Sequence, residues 1–346
     1  MLTSVVKESA GVLDRRFLLV AFLPGLAFVW GSAVLGAVVV LGARRARADW
    51  SRLGAYDKTL LIAVAIVAAL LLATLLAGWS DRLVRWYAGY WPTSLGRVVG
   101  ELGSTWHRGR QRRLAQEALT DRRTEAVLND CYPPETQPEQ VRPTRLGNVL
   151  KSAERYPRLR YGLDAVLVWP RLYPLLPDRV VAGLAAARAD LECRLVMATL
   201  FALFAVYSGT ALLVTQQSWW LFAVCFGGGA LAAWISYLTG VSAAVGYAEQ
   251  VKVAFDVYRT DLLRHLDGTE PRTAAAERRR WQELSLLWWR GVRDGIEEPT
   301  PARPMADRGA RFMIMSLGAF TAVTALAVCI TGSAFLLVTG HPPAAP

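Results

Sequence analysis

Five stretches of this chain, residues 17–41, 60–79, 195–214, 219–245 and 312–338, contain no Asp, Glu, Lys, Arg or His. Each runs for 20 residues or more, about the length of helix that crosses roughly 30 Å of hydrocarbon. A soluble chain can hide apolar residues in a core, but it has no need of uninterrupted runs this long. Lipid offers no hydrogen bonds to the backbone, so a spanning segment must be a helix or part of a closed barrel. Barrel strands alternate apolar and polar residues over about ten positions, and none of the five runs does so. The expected fold is therefore an all-α membrane protein. It has about five transmembrane helices and a helical cytoplasmic module built from two inter-span segments.

Orientation follows from the basic residues, which collect on the cytoplasmic side of membrane helices. With the N-terminus inside, segments 1–16, 80–194 and 247–311 hold 34 of the 39 Lys and Arg. That predicts a bacterial cytoplasmic (inner) membrane protein with its N-terminus cytoplasmic and its C-terminus external. Loop 42–58 opposes the rule, because Arg44, Arg45, Arg47, Arg52 and Lys58 are offset only by Asp49 and Asp57. It is expected to be external nonetheless, held at the outer headgroups with Trp50. Arg15 and Arg16 precede a first run too long for a usual cleaved signal, so this run is expected to stay as an anchor.

These spans divide the chain. Residues 1–79 form a two-span hairpin, and 80–194 a cytoplasmic helical segment interrupted by a proline-rich linker, 131–144, with Pro133, Pro134, Pro138 and Pro143. Residues 195–246 form a second hairpin, 247–311 a second cytoplasmic helical segment, and 312–346 the last span with a short external tail. A basic helix is expected near 107–129. Val251, Ala254, Val257, Leu262 and Leu266 carry the fourth span on as a helix that Gly268 and Pro271 end. A further helix over 273–293 puts Trp281, Leu284, Trp288 and Val292 on one stripe. That stripe serves either a membrane surface or the packing of the cytoplasmic segments.

The net charge of +11 invites a nucleic-acid reading. No recognition module accompanies it, and the basic residues flank the apolar runs, so no nucleic acid is expected. Only four of the 39 basic residues are Lys, and there are only two Asn, a bias of GC-rich genomes. The cysteines, Cys131, Cys193, Cys225 and Cys329, have no spacing that suggests disulfides or zinc. No nucleophile elbow, zinc-protease or P-loop motif is present. No catalytic residue, metal or cofactor is therefore expected. His107 and His265 share no motif and are each expected on a solvent-facing helix; His341 lies in the tail. No ionisable residue sits within a span, which argues against an ion-coupled transporter.

Two groups of residues stand out. Arg145, Arg155, Arg158 and Arg160 could hold a phosphate, an acidic headgroup or a protein partner, since arginine bonds such oxyanions bidentately. The competing reading is a buttress, in which Asp164 pairs with Arg160 or Arg171 and Trp169 lies against apolar surface. Within the membrane, Ser236, Gly240 and Ala244 at spacing four make a face for close helix packing. That face serves either one subunit or a homo-oligomer.

Asp14-Arg-Arg-Phe-Leu-Leu entering the first span, Tyr90-Trp-Pro after the second, and Arg160-Tyr-Gly-Leu-Asp with Trp169-Pro-Arg before the third resemble a group of large actinobacterial membrane proteins. The likeness covers about the first 200 residues. It implies a GC-rich bacterial source and a cytoplasmic-membrane location, and no functional residues. The expected function is a membrane-anchored, non-enzymatic interaction or scaffold protein. Its expected partners are the lipid bilayer, a cytoplasmic protein and further copies of itself. A subunit of an oligomeric channel and an interfacial lipid-acting enzyme are the alternatives.

Overall fold

A computed structural model describes residues 17–91, 94–134, 137–216, 218–267 and 271–290. The expected fifth span, Val292 and His341 lie outside them. Among the described residues every regular element is a helix. Four helices are long and apolar enough to cross a membrane: Val20–Leu41, Ala55–Tyr87, Asp178–Val214 and Trp219–Leu266. These are the first four apolar runs, three of them extended as helix beyond their charge-free parts. By their contacts the described residues divide into two compact units, one within 17–84 and 192–240, the other within 85–191 and 241–290.

In the first unit, α1 (Leu23–Leu41) follows a π turn, Leu18–Phe22. Pro24 has no N–H for the carbonyl four residues back and its ring crowds that carbonyl. The wider turn lies where that crowding falls. Gly42, at φ +79°, ends α1, and the basic stretch expected as a loop forms a helix of its own, α2 (Ala43–Arg52). The third helix, α3 (Ala55–Tyr87), buries Ala65, Ala68, Ala69, Leu72, Ala73 and Leu76 along one stripe. These small residues let α1 lie close: a Cβ on Gly25 would sit 3.6 Å from the Ala69 carbonyl oxygen. Val196 and Leu200 complete this core with Phe28 and Val29.

The second unit begins with α4 (Ser94–Ala118) and α5 (Arg122–Cys131). The single basic helix expected near 107–129 is therefore two. The break is local: Asp121 caps α5, accepting from the backbone N–H of Arg123 and Thr124, which satisfies orphan donors at the helix start. The proline-rich segment is an ordered connection with one 3-10 turn, Pro138–Gln140. Asn148 fastens it, with Oδ1 accepting from Arg142 N–H and Nδ2 donating to the carbonyls of Arg142 and Thr144.

Two short helices follow. α6 (Arg145–Tyr161) is capped by Thr144 and closed by Gly162 at φ +77°, and α7 is Ala165–Leu172. The long α8 (Asp178–Val214) comes next. After α9 (Trp219–Phe222) and a π turn, Ala223–Gly227, the chain continues as α10 (Gly228–Asp267). The last described helix, α11 (Ala274–Arg290), puts Trp281 and Leu284 into a core with Leu163, Leu172, Phe255 and Leu263. Trp281 is wholly buried and Trp289 is 73% exposed, so the stripe through Trp281 packs protein against protein.

Candidate functional site

The second unit contains a cleft of about 930 Å³. Side chains reach it from α4, α5, α6, α10 and α11 and from Pro133 and Pro134. Its floor is polar because α10 carries Lys252 and Asp256 one turn apart, on the same side of the helix. Lys252 Nζ is 2.9 Å from Asp130 Oδ1 and lies 5.7 Å from the centroid of the Tyr156 ring. Asp256 accepts from two phenols, Tyr156 at 2.9 Å and Tyr161 at 2.7 Å, one on each carboxylate oxygen. The Arg259 guanidinium lies over the Tyr161 ring at 3.9 Å and pairs with Glu277 at 2.9 Å.

Burial, then the bond to Asp256, pushes the Tyr156 phenol up to about 12. The Tyr161 phenol is raised for the same two reasons. Both tyrosines therefore stay protonated donors. The floor is a hydrogen-bonded network: Lys252 meets Asp130, and the Asp256 carboxylate meets two phenols, so each charged group has the partner that a protein interior requires. The exposed rim is different. Arg160 and Arg278 stand there with Glu125 and Glu249, and Arg278 also donates to the Arg160 backbone carbonyl at 3.1 Å.

The four arginines expected to form one oxyanion site are not together. Arg145 and Arg160 lie fifteen residues apart on α6, about 22 Å along the axis. Arg145 faces a void of about 30 Å³ beside Cys131 and Tyr132, whereas Arg160 lines the large cleft. Arg155 donates to the side-chain oxygen of Gln140, with its pKa lowered first by burial and then by Arg158. Arg158 is exposed on the same helix.

The buttress reading also changes. Asp164 spends its carboxylate as the cap of α7, accepting from the N–H of Val166 and Leu167. Among the ion pairs of the described residues neither Arg160 nor Arg171 joins it. Arg171 instead donates to the Leu167 carbonyl and lies 4.1 Å over the Trp288 ring. Trp169 packs against Tyr173 and Phe255, centroids 5.8 and 5.5 Å apart. On α10, Ala244 is fully buried and Ser236 half-buried. A Cβ on Gly240 would come 3.2 Å from Leu195 of α8, so at Gly240 the small face is used within the chain.

His107 corrects an expectation. It is 3% exposed, with Nδ1 3.0 Å from the Tyr132 hydroxyl, while Gln111 one turn on donates to the Pro133 carbonyl. Together they pin the proline-rich segment to α4. His265 is exposed, as expected. Burial and the neighbouring Asp130 raise the Cys131 thiol, the opposite of what an attacking thiolate needs. No cluster of three or more His, Cys, Asp or Glu suited to a metal occurs among the described residues.

Sequence reasoning missed Tyr156, Tyr161, Asp130, Lys252 and Asp256. One signal was there: a lysine and an aspartate at spacing four within the apolar pattern Val251, Ala254, Phe255. Nothing nearby in sequence points to their partners, which lie roughly 100 residues away. No protein-family model, no curated protein and no solved structure matches the chain.

Proposed function

We propose that the chain is a non-enzymatic, membrane-anchored interaction protein of a bacterial cytoplasmic membrane, and that the cleft of its second unit docks a segment of a cytoplasmic partner. One observation carries this reading: a 930 Å³ cleft whose floor is a closed hydrogen-bonded network and whose rim carries both signs. A single-sign pocket would suit a small anion or cation. A rim carrying Arg160, Arg278, Glu125 and Glu249 suits a polypeptide with charges of both signs, since complementary charge placement sets register and excludes wrong partners. The volume lies at the upper end of small-molecule sites, large enough for several side chains. The distribution of 34 of 39 basic residues supports a cytoplasmic placement of the segments forming this unit.

The test is site-specific photocrosslinking in native membranes. A photoreactive residue at Leu159 or Val253, both lining the cleft, is expected to yield a discrete protein adduct. The same residue at Val166, exposed and outside the cleft, is expected to give none. Lys252→Glu together with Arg160→Glu should abolish the adduct. Adducts equally strong at Val166, or none at either cleft position, would sink the proposal.

A further inference from the structure

A second cavity, independent of the docking cleft, lies within the first unit between α1 and α2. Gly42 turns the chain so that α2 comes back against α1, and Trp30 and Trp50 meet edge to face, centroids 6.4 Å apart. Between the two helices is a crevice of about 390 Å³. Ala33, Val34, Ala37 and Val38 form one wall, and Ala43 and Ala46 line the other. The tryptophans lie at the end away from Gly42. The contact of Trp30 with Trp50 spaces the two helices at that end, and the short alanine side chains leave the gap between them open and apolar.

The polar element is Arg47. Ala43, Ala46, Arg47 and Trp50 fall at i, i+3, i+4 and i+7, one face of α2. Arg47 therefore sits on the crevice wall itself, and among the described residues it has no acidic partner. Its surroundings are cationic: segment 43–58 holds five basic residues against Asp49 and Asp57. Arginine and tryptophan on a short amphipathic helix beside an apolar run are the make-up of the headgroup layer.

We infer that this crevice binds one phospholipid with an anionic headgroup, an acyl chain lying between the apolar walls and the phosphate on Arg47. The apolar lining excludes a free phosphate as the occupant. The unpaired guanidinium and the net positive charge of α2 select a headgroup that keeps a negative charge over a zwitterionic one.

The full-length protein, purified in detergent and offered equal amounts of phosphatidylglycerol and phosphatidylcholine with matched chains, tests this by native mass spectrometry. The first lipid bound should be phosphatidylglycerol, preferred by roughly fivefold, the effect of one basic side chain near the headgroups. Arg47→Gln should bring the preference close to one, Arg47→Lys should retain most of it, and Arg279→Gln in the other unit should leave it unchanged. Ala37→Phe, which fills the crevice, should lose the first lipid of either kind. Ala46→Leu on α2 reads the same effect if Ala37→Phe fails to fold. Glycerol phosphate should not displace the lipid. An Arg47→Gln protein that keeps the preference, a folded crevice-filling variant that keeps the lipid, or displacement by glycerol phosphate would each overturn the assignment.

Discussion

His107 illustrates how a buried titratable residue ties stability to pH. Burial first, then the positive potential of Arg110 and Arg145, lowers its pKa to about 4 from an ordinary 6.5. Between those values the unfolded chain takes a proton that the folded chain refuses, so stability falls as pH drops from 6.5 towards 4 and is insensitive to this residue above 6.5. His107→Gln keeps a hydrogen-bonding side chain beside Tyr132 and cannot titrate there. Denaturant unfolding at pH 7 and pH 4.5 should show a smaller loss for this variant than for the parent; equal losses would remove His107 from the account. Glycines make the same point through sterics. A Cβ at Gly147 would lie 2.2 Å from the Ala88 carbonyl oxygen, a backbone atom that cannot rotate away. Gly147→Ala is expected to cost about 1–3 kcal/mol by overpacking. At Gly109, on α4 with nothing within 4 Å of a Cβ, the same change should stabilise by about 0.5–1 kcal/mol. Thermal unfolding of the two variants should therefore move in opposite directions.

At the scale of elements, α11 carries two tryptophans with opposite surroundings. Trp281 fills the second core and its indole N–H reaches Glu277 at 3.4 Å, whereas Trp289 is largely exposed. Trp281→Ala should cost about 3–5 kcal/mol, and Trp289→Ala no more than about 0.5 kcal/mol, both measurable by denaturant titration. A comparable loss at Trp289 would mean that its surface is covered in the folded protein. Helix periodicity put Trp281 on the apolar stripe and left Trp289 off it, and packing decided that the stripe at Trp281 faces protein rather than a membrane surface. The capping residues follow the same logic. Thr144 and Asp121 are ordinary helix-start residues in the sequence, whereas Asp164 drew attention as an ion-pair member. Its short side chain bonds the nearest free N–H groups, at Val166 and Leu167, before any distant guanidinium.

For the whole molecule, the helix α2 sharpens the question of where the first two spans lie. If α1 and α3 both cross with the N-terminus inside, a cytoplasm-only fluorescent reporter fused after Trp50 should stay dark, and a membrane-impermeant thiol reagent should label Gly54→Cys from outside. A bright reporter would place this turn in the cytoplasm and overturn the expected arrangement of five spans with the N-terminus inside. Hydrophobicity by itself determined the all-helical class and the four described membrane-length helices, because an uncharged run of that length can satisfy its backbone in lipid only as a helix. Proline and glycine positions likewise marked where α10 ends and where regular helix fails between 131 and 144. The cleft was not legible. Its network joins Tyr156 and Tyr161 to Asp256, and Asp130 to Lys252, across roughly 100 residues of chain, and no local pattern encodes a contact at that separation. The tertiary structure also decided that the four arginines of α6 part company, since a helix 17 residues long points its side chains around a full circle and spreads them along its axis.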